Sequence, residues 1–460
     1  MFDLAFLERM KSLLGDEYES FISALSKDAV RGLRINTLKV DKDAFLRDCT
    51  LPLLPIEYCE YGFILQTDES IGRHAEHHSG RIYMQDPGAM APLSAIDIPK
   101  GARVVDLCAA PGGKSGQAAA MIGEEGFLLS NEFGPKRAKT LVGNFERLGI
   151  RNAIVTSLDT GRLSTLYSYY FDFAIVDAPC SGEGMFRKSE IAVTEWSEEN
   201  VRACQSRQSE ILENAEKLVA PGGYLIYSTC TYSLEENEMI VDSFLKKHND
   251  FSLVKPKESI MRVTSPAVTF AGASAKNLEY ARRFYPHIAN GEGQFLAIMR
   301  RAKNESLTPK ILYKDSSRPP SKADSICIEK FFSENLTSPP EAKAVVIGEN
   351  IVLIPHALPP VPKSSVFMCG VLLGSIQKGR LVPEHHFFSA YGNLFKRRIE
   401  LSENEAALSA YLYGEEIDAG CECGSGFCAV TYKGTAIGGG KIVNGRVKNH
   451  YPKGLRNKTV

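Results

Sequence analysis

The sequence predicts an α/β protein: a doubly wound parallel sheet with smaller α+β units on either side. Three observations predict it. Between about residues 100 and 300, strand, turn and helix patterns alternate, as they do in βαβ units. A glycine turn, Asp106-Leu-Cys-Ala-Ala-Pro-Gly-Gly-Lys-Ser115, joins the first of these strands to a helix. The chain of 460 residues is also too long for one ordinary core, so further units are expected around the sheet.

Residues 1–78 read as a small α+β module. Leu4, Phe6, Leu7, Met10, Leu13 and Leu14 share a broad apolar helical face, and Gly32–Thr37 is extended. The central domain is expected over 79–302. Arg103–Cys108, Phe127–Glu132, Ala153–Asp159, Phe171–Cys180 and Tyr224–Cys230 read as strands; Gly113–Ile122, Pro135–Leu148 and Glu198–Val219 read as helices. Phe251–Val254 and Gln294–Arg301 look like closing strands of the same sheet. Polar, proline-containing residues 303–325 read as a linker. A first C-terminal module is expected over 326–390, with extended runs at Ala344–Ile347 and Val366–Leu373. A second, over 391–460, holds short strands and turns at Cys428–Tyr432, Ile437–Ile442 and Gly445–Lys448.

Composition is that of a globular protein, 44% hydrophobic and 24% charged, and no apolar run is long enough to span a bilayer. The formal net charge of −1 gives no global sign of a polyanion partner. The distribution of charge does: Lys441, Arg446, Lys448, Lys453, Arg456 and Lys458 fall in the last segment with no acid among them. Eleven scattered cysteines, with no signal-peptide pattern at the start, point to reduced thiols and a cytoplasmic protein.

The glycine turn is not a phosphate loop, because the position that needs the first glycine of a Walker motif is Cys108. Gly112 and Gly113 permit close approach of a nucleoside-like or zwitterionic ligand. Glu132 and Asp159 end the next two strands, and an acid about 20 residues beyond such a turn holds ribose hydroxyls. Two thiols end later strands: Cys180 in Asp177-Ala-Pro-Cys-Ser-Gly and Cys230 in Ser228-Thr-Cys-Thr-Tyr-Ser233. Strand ends of a parallel sheet converge on one crevice, so a cofactor turn beside two thiols implies covalent chemistry there. Cys49, Cys59, Cys204, Cys327 and Cys369 are read as inert buried residues. His74, His77 and His78 are read as part of a polar loop, and Cys421, Cys423 and Cys428 as a hairpin turn, so no metal is expected.

Cys-Ala-Ala-Pro-Gly-Gly-Lys at 108–114, Asp-Ala-Pro-Cys-Ser-Gly-Glu-Gly at 177–184 and Ser-Thr-Cys-Thr-Tyr-Ser at 228–233 resemble the motifs of S-adenosylmethionine-dependent RNA (cytosine-5)-methyltransferases of the NOL/NOP/Sun group. Ser79–Pro87 resembles the lead into that catalytic domain, and Arg283–His287 with Gly293–Ala297 its end. Thr431-Tyr-Lys-Gly with Lys448–Arg456 resembles the RNA-binding, PUA-like tail of the RsmF branch, whose members modify bacterial small-subunit ribosomal RNA. The resemblance implies a Rossmann-like methyltransferase domain between an RNA-binding N-terminal module and a PUA-like tail. It implies that Cys108, Ala109, Ala110, Pro111, Gly112, Gly113, Lys114, Glu132, Asp159 and Asp177 bind S-adenosylmethionine, and that Cys230 is the nucleophile. Cys180 then assists release of the product, as a base or by positioning one. Asp177 either holds the cofactor amino group or meets the cytosine edge in protonated form.

Lys114 is expected to contact the cofactor. Ser181–Met185 reads as a mobile loop or a plain turn. Arg187 and Lys188, with Lys448, Lys453 and Arg456, are the expected RNA contacts. The resulting expectation is a cytoplasmic monomer that makes 5-methylcytosine in small-subunit rRNA or the assembled subunit. A tRNA methyltransferase and a non-catalytic ribosome-assembly factor of the same fold are the rivals.

Overall fold

The structure, a computed structural model, describes residues 2–420 and 424–457. Among the described residues the central sheet has ten strands, and seven form its body. These are β1 (Arg103–Asp106), β2 (Phe127–Asn131), β3 (Ala153–Thr156), β4 (Phe171–Asp177), β5 (Val219–Thr229), β6 (Gln294–Arg301) and β7 (Val366–Cys369). They lie in the order β6-β5-β4-β1-β2-β3-β7. The five inner strands are parallel, and β6 and β7 run antiparallel to their neighbours. Phe251–Leu253 also pairs along β6, as expected for a closing strand.

Both faces of this sheet are covered, which is why its strands read as near-continuous apolar runs. Val105, Leu129 and Ala174 pack on one face with Ile211 and Leu212 of α3 (Glu198–Glu216) and Ile240 and Phe244 of α4 (Glu238–Lys247). Val104, Leu128 and Phe173 pack on the other with Ala118 and Ala119 of α1 (Gly113–Ile122) and Leu141 and Phe145 of α2 (Pro135–Leu148). Two of these helices have the predicted bounds, because their ends carry strong local signals. Pro135 opens α2, and Gly149 closes it with φ of 68°, its N–H bonded to the last-turn carbonyls of Glu146 and Phe145. α3 stops at Glu216, three residues before the predicted Val219, because Val219 already pairs with Phe171 in the sheet. The register then shifts before Tyr224, across the Pro221-Gly222-Gly223 segment, so β5 begins earlier than predicted.

The small units are joined to the sheet more closely than the sequence suggests. Ile82–Met84, expected in the central domain, pairs with Gly32–Ile35 in a four-stranded N-terminal sheet. The expected linker is not free: Lys310–Ile311 pairs with Tyr167–Ser168, and a helix begins at Lys322 under a Ser321–Asp324 capping box. The extended run Val366–Leu373 is two strands, broken at Gly370 with φ of 58°. Its first half is β7, so the module expected at 326–390 contributes an edge to the central sheet. His74 to His78 form a 3-10 exit and a short helix, Ala75–His78, where a loop was expected. The His78 ring lies between Tyr451 Oη at 2.8 Å and Asn457 Oδ1 at 3.0 Å. Lys39 joins three units at once, donating to Ser79 O, Ser389 Oγ and Ala436 O, and burial holds its ammonium well below the usual lysine range.

The N-terminal helix, Leu4–Leu14, turns Phe6 and Met10 inward; Leu4, on the predicted apolar face, is 76% exposed. Phe6 packs edge-on against Phe186 at 4.9 Å, bracing the chain just beyond Cys180. On the other side of the site, buried Arg283 forks onto buried Glu238 and donates to Tyr232 O at 2.7 Å. Glu238→Ala leaves that guanidinium buried without its partner and is expected to lower stability by about 3–5 kcal/mol. Urea unfolding measures it; a loss below about 1 kcal/mol, the size for an exposed pair, would refute the assignment. Among the described residues no helix is long and apolar enough to cross a membrane.

Candidate active site

β1 has its β2 neighbour on one side and β4 on the other, so chain order reverses there. Open α/β sheets bind ligands at the carboxyl ends of such a switch point. The turn after β1 occupies that place. Ala109 N–H donates to Asn131 O at 2.9 Å and Ala110 N–H to Glu132 Oε2 at 3.3 Å. From outside, α2 holds the turn's carbonyls: Arg137 donates to Ala110 O and Asn144 to Pro111 O, each at 2.8 Å. Gly112 has φ of 115°, and a Cβ there would lie 2.9 Å from Leu141 Cδ1. That φ favours glycine, and any side chain there would also press on the buried Leu141.

A cleft of about 640 Å³ opens in front of the turn, a size ordinary for a cofactor site. Cys108, Ala110, Glu132, Asp159, Asp177 and both motif thiols line it. Glu132 is fixed at the wall, with Oε1 accepting from Gly134 N–H at 3.0 Å. Asp159 is exposed and caps the helix Thr160–Leu166 through Arg162 N–H. Lys114 is only 7% exposed, and its Nζ lies 2.7 Å from Asp177 Oδ2. Ser228 Oγ donates to Asp177 Oδ1, also at 2.7 Å. Asp177 thus accepts at both oxygens and ties the turn to the ends of β4 and β5. Burial pushes the Cys108 thiol up, and raises Asp106 behind the turn to about 7.

The thiols meet. Asp177 stands opposite Ser228 in the β4–β5 register, so the residues just past both strands are neighbours. Cys180 Sγ and Cys230 Sγ are 3.3 Å apart. The hydrogen bond to Cys230, and then burial, push the Cys180 thiol well above its ordinary range. Cys180 therefore keeps its proton, although either sulfur can donate in this contact. Two buried carboxylates stand behind them: Glu183, held up by burial, and Glu236, raised by burial to about 7. The residues present suit a cationic, ribose-bearing cofactor: a glycine turn that admits backbone contact, a fixed acid for hydroxyls at Glu132, and acceptors at Asp177.

Residues 94–300 match the family model for 16S rRNA methyltransferase RsmB/F. A relative called ribosomal RNA small subunit methyltransferase F, from Vibrio vulnificus, is 32% identical over 98% of this chain and 96% of its own. The chain belongs to the RsmF family. Residues 2–87 match that family's N-terminal domain, 330–390 its first C-terminal domain and 396–457 its PUA domain. A relative of the same name from Erwinia tasmaniensis is 31% identical over 99% of this chain and 96% of its own. Among solved structures, a methyltransferase homolog protein from Pyrococcus horikoshii is similar with a TM-score of 0.58 and 29% identity, over 65% of this chain and 95% of that one.

Some site expectations for this RsmF-family protein need correction. Arg187 is not free for a phosphate: its side chain is 4% exposed, with Nε 2.8 Å from Glu292 Oε2 and Nη2 donating to Gly291 O at 2.7 Å. Lys188 is paired with Asp86 at 2.6 Å. Lys448 and Lys453 are exposed on the last unit, whereas Arg456 turns inward and donates twice to Tyr451 O. The helix that follows Cys230, α4, begins only at Glu238, so its N-terminus is more than a turn from that thiol. The Ser181–Met185 segment is a fixed turn, with a 3-10 helix at Glu183–Met185 and Glu183 buried in it. Cys49 and Cys327, expected to be buried, are partly exposed. Cys421, Cys423 and Lys458 lie outside the described residues; Cys428 is buried and faces Gly440 O.

Four residues at the site escaped the sequence reading. Phe133, 73% exposed, and Arg207 of α3 line the cleft. Phe133 follows Glu132 directly, and an exposed aromatic beside a strand-end acid was the available signal. Glu183 and Glu236 gave none, since an acid in a glycine loop or before a helix reads as solvated.

Proposed function

We propose that this protein methylates carbon 5 of cytosine in small-subunit ribosomal RNA, with S-adenosylmethionine as cofactor and Cys230 as nucleophile. The observation that carries the reading is the pair of thiols 3.3 Å apart beside the cofactor cleft. Carbon 5 of cytosine is a weak nucleophile and needs activation. Addition of the Cys230 thiolate forms an S–C6 bond and displaces an electron pair through C5=C4 to N3, which makes carbon 5 enamine-like. The cofactor, when bound, supplies an electrophilic methyl group on a sulfonium. Once carbon 5 carries the methyl group it loses its proton to solvent, C5=C6 re-forms and the S–C6 bond breaks, returning the Cys230 thiolate.

The departing thiolate of Cys230 receives a hydrogen bond from the Cys180 S–H. A thiol held this far up keeps its proton at neutral pH and can donate a hydrogen bond, which favours this role over that of a direct base. Asp177, an acceptor at both oxygens, suits the cofactor amino group better than a protonated contact to cytosine. Glu132 and Phe133 offer an acceptor and an apolar face for the nucleoside half. The target base must be flipped out of its helix to bring carbon 6 to Cys230 in the cleft. Lys448 and Lys453, exposed on the PUA-type unit, offer charge to the RNA backbone.

The test is transfer of labelled methyl groups to small-subunit rRNA from a strain lacking the gene, followed by bisulfite sequencing. Protection of one or a few cytosines is expected. Label at any other base, or on tRNA alone, would sink the reading.

A further inference from the structure

The loops that carry the thiols lie beyond the sheet, since β4 ends at Asp177 and β5 at Thr229. Besides one backbone bond between them, Gly184 N–H to Cys230 O at 2.9 Å, the loops are tied by two buried carboxylates, each rooted in one loop and gripping the other. Glu236, on the Cys230 side, accepts from Ser181 N–H at 2.9 Å and from Ser181 Oγ at 2.5 Å. Both contacts fall on the residue next to Cys180. Gln208 of α3 seats the same carboxylate at 2.9 Å. Glu183, on the Cys180 side, accepts at Oε2 from Thr231 Oγ1 and Tyr232 N–H, each at 2.9 Å. These are the two residues after Cys230. Its Oε1 accepts from Trp196 Nε1 at 2.9 Å. Ser181 Oγ and Thr231 Oγ1, 2.8 Å apart, close the ring.

Glu183 is 1% exposed and Glu236 is 0% exposed, and neither lines the cleft. A plain chain reversal needs no buried acid, and burying two near each other costs free energy that only their hydrogen bonds offset. Four of those bonds end on the residues flanking the thiols. We propose that Glu183 and Glu236 are positioning residues that form a reciprocal clamp, Glu236 setting Cys180 for product release and Glu183 setting Cys230 for attack. The proposal rests on the covalent reading above and deepens it.

The hydrogen-bond pattern separates the two members. At position 236 an amide can replace the carboxylate: its oxygen accepts from Ser181 N–H and Gln208, and its NH2 donates to Ser181 Oγ. At position 183 it cannot, because each oxygen faces an obligate N–H donor and the NH2 would meet that of Tyr232 or that of Trp196.

The experiment uses the full-length protein with small-subunit rRNA and S-adenosylmethionine, reading the covalent RNA–protein band, turnover and melting temperature. Cys180→Ala is the reference that should trap the adduct. Glu236→Ala is expected to trap adduct as well, with turnover down about a hundredfold, as misplacement by about 1 Å costs. Glu236→Gln should recover most of that loss. Glu183→Ala combined with Cys180→Ala should cut the trapped adduct at least about tenfold, because attack itself is misaligned, and Glu183→Gln should not recover it. Should Glu236→Ala not fold, Ser181→Ala replaces it and should raise the adduct several-fold. No adduct in Glu236→Ala or Ser181→Ala, with adduct in Cys180→Ala, overturns the clamp. No adduct in Cys180→Ala itself overturns the covalent reading, and the clamp falls with it.

Discussion

Cys230→Ala is expected to abolish methyl transfer, lowering turnover by at least about a thousandfold, the scale for loss of a covalent nucleophile. Cofactor binding and melting temperature should stay close to those of the wild type. The substitution removes one partly exposed sulfur at the rim of the cleft, so little packing is lost. Without addition at carbon 6, carbon 5 has no enamine character and the methyl acceptor is missing. Cys180 cannot take over. Its sulfur is 3.3 Å away, but its own hydrogen bond and burial hold it as the neutral thiol, and a thiol is a far weaker nucleophile than a thiolate. Labelled-methyl transfer to rRNA measures the loss. Retained turnover would remove Cys230 from the role. Retained turnover with adduct trapped on Cys180 would show that the two roles are exchanged.

How much of this was legible in the sequence depends on how local each signal is. Gly113–Ile122 and Pro135–Leu148 were readable to the residue because their start and stop signals lie in the chain itself. The inner strands were readable because burial on both faces leaves apolar runs with polar residues only at the carboxyl ends. Those polar ends became the site: Asp177, Cys180 and Cys230 were brought together as expected. The same locality hid the rest. β7 comes from a stretch more than two hundred residues after β3, and nothing near Val366 announces that partner. Arg187 looks like a phosphate contact until Glu292, over a hundred residues away, is seen to bury it. Glu183 and Glu236 are ordinary acids in the sequence; only the close approach of two loops makes them interior. Long-range pairing decides each of these, and a single sequence carries no record of it.

The second large effect is at Cys180. Cys180→Ala is expected to lower turnover by about a hundredfold or more, the scale for loss of a positioned acid, while a covalent RNA–protein adduct accumulates as a slow band on a denaturing gel. The expectation follows from the order of events. Attack by Cys230 needs no proton from its neighbour, so addition and methylation proceed. Release must return an anion to Cys230, a half-buried sulfur of the cleft, where a thiolate without a hydrogen-bond donor is disfavoured. The Cys180 S–H is the donor placed to receive it. Cys180→Ser separates proton donation from packing. The hydroxyl keeps a donor but with a shorter bond from Cβ, so adduct should fall between that of alanine and the wild type. Adduct equal to alanine's would place the loss in the sulfur's contacts and not in its proton. Loss of activity with no adduct in either variant would mean that Cys180 acts before release, and the order of events proposed for the two thiols would be wrong.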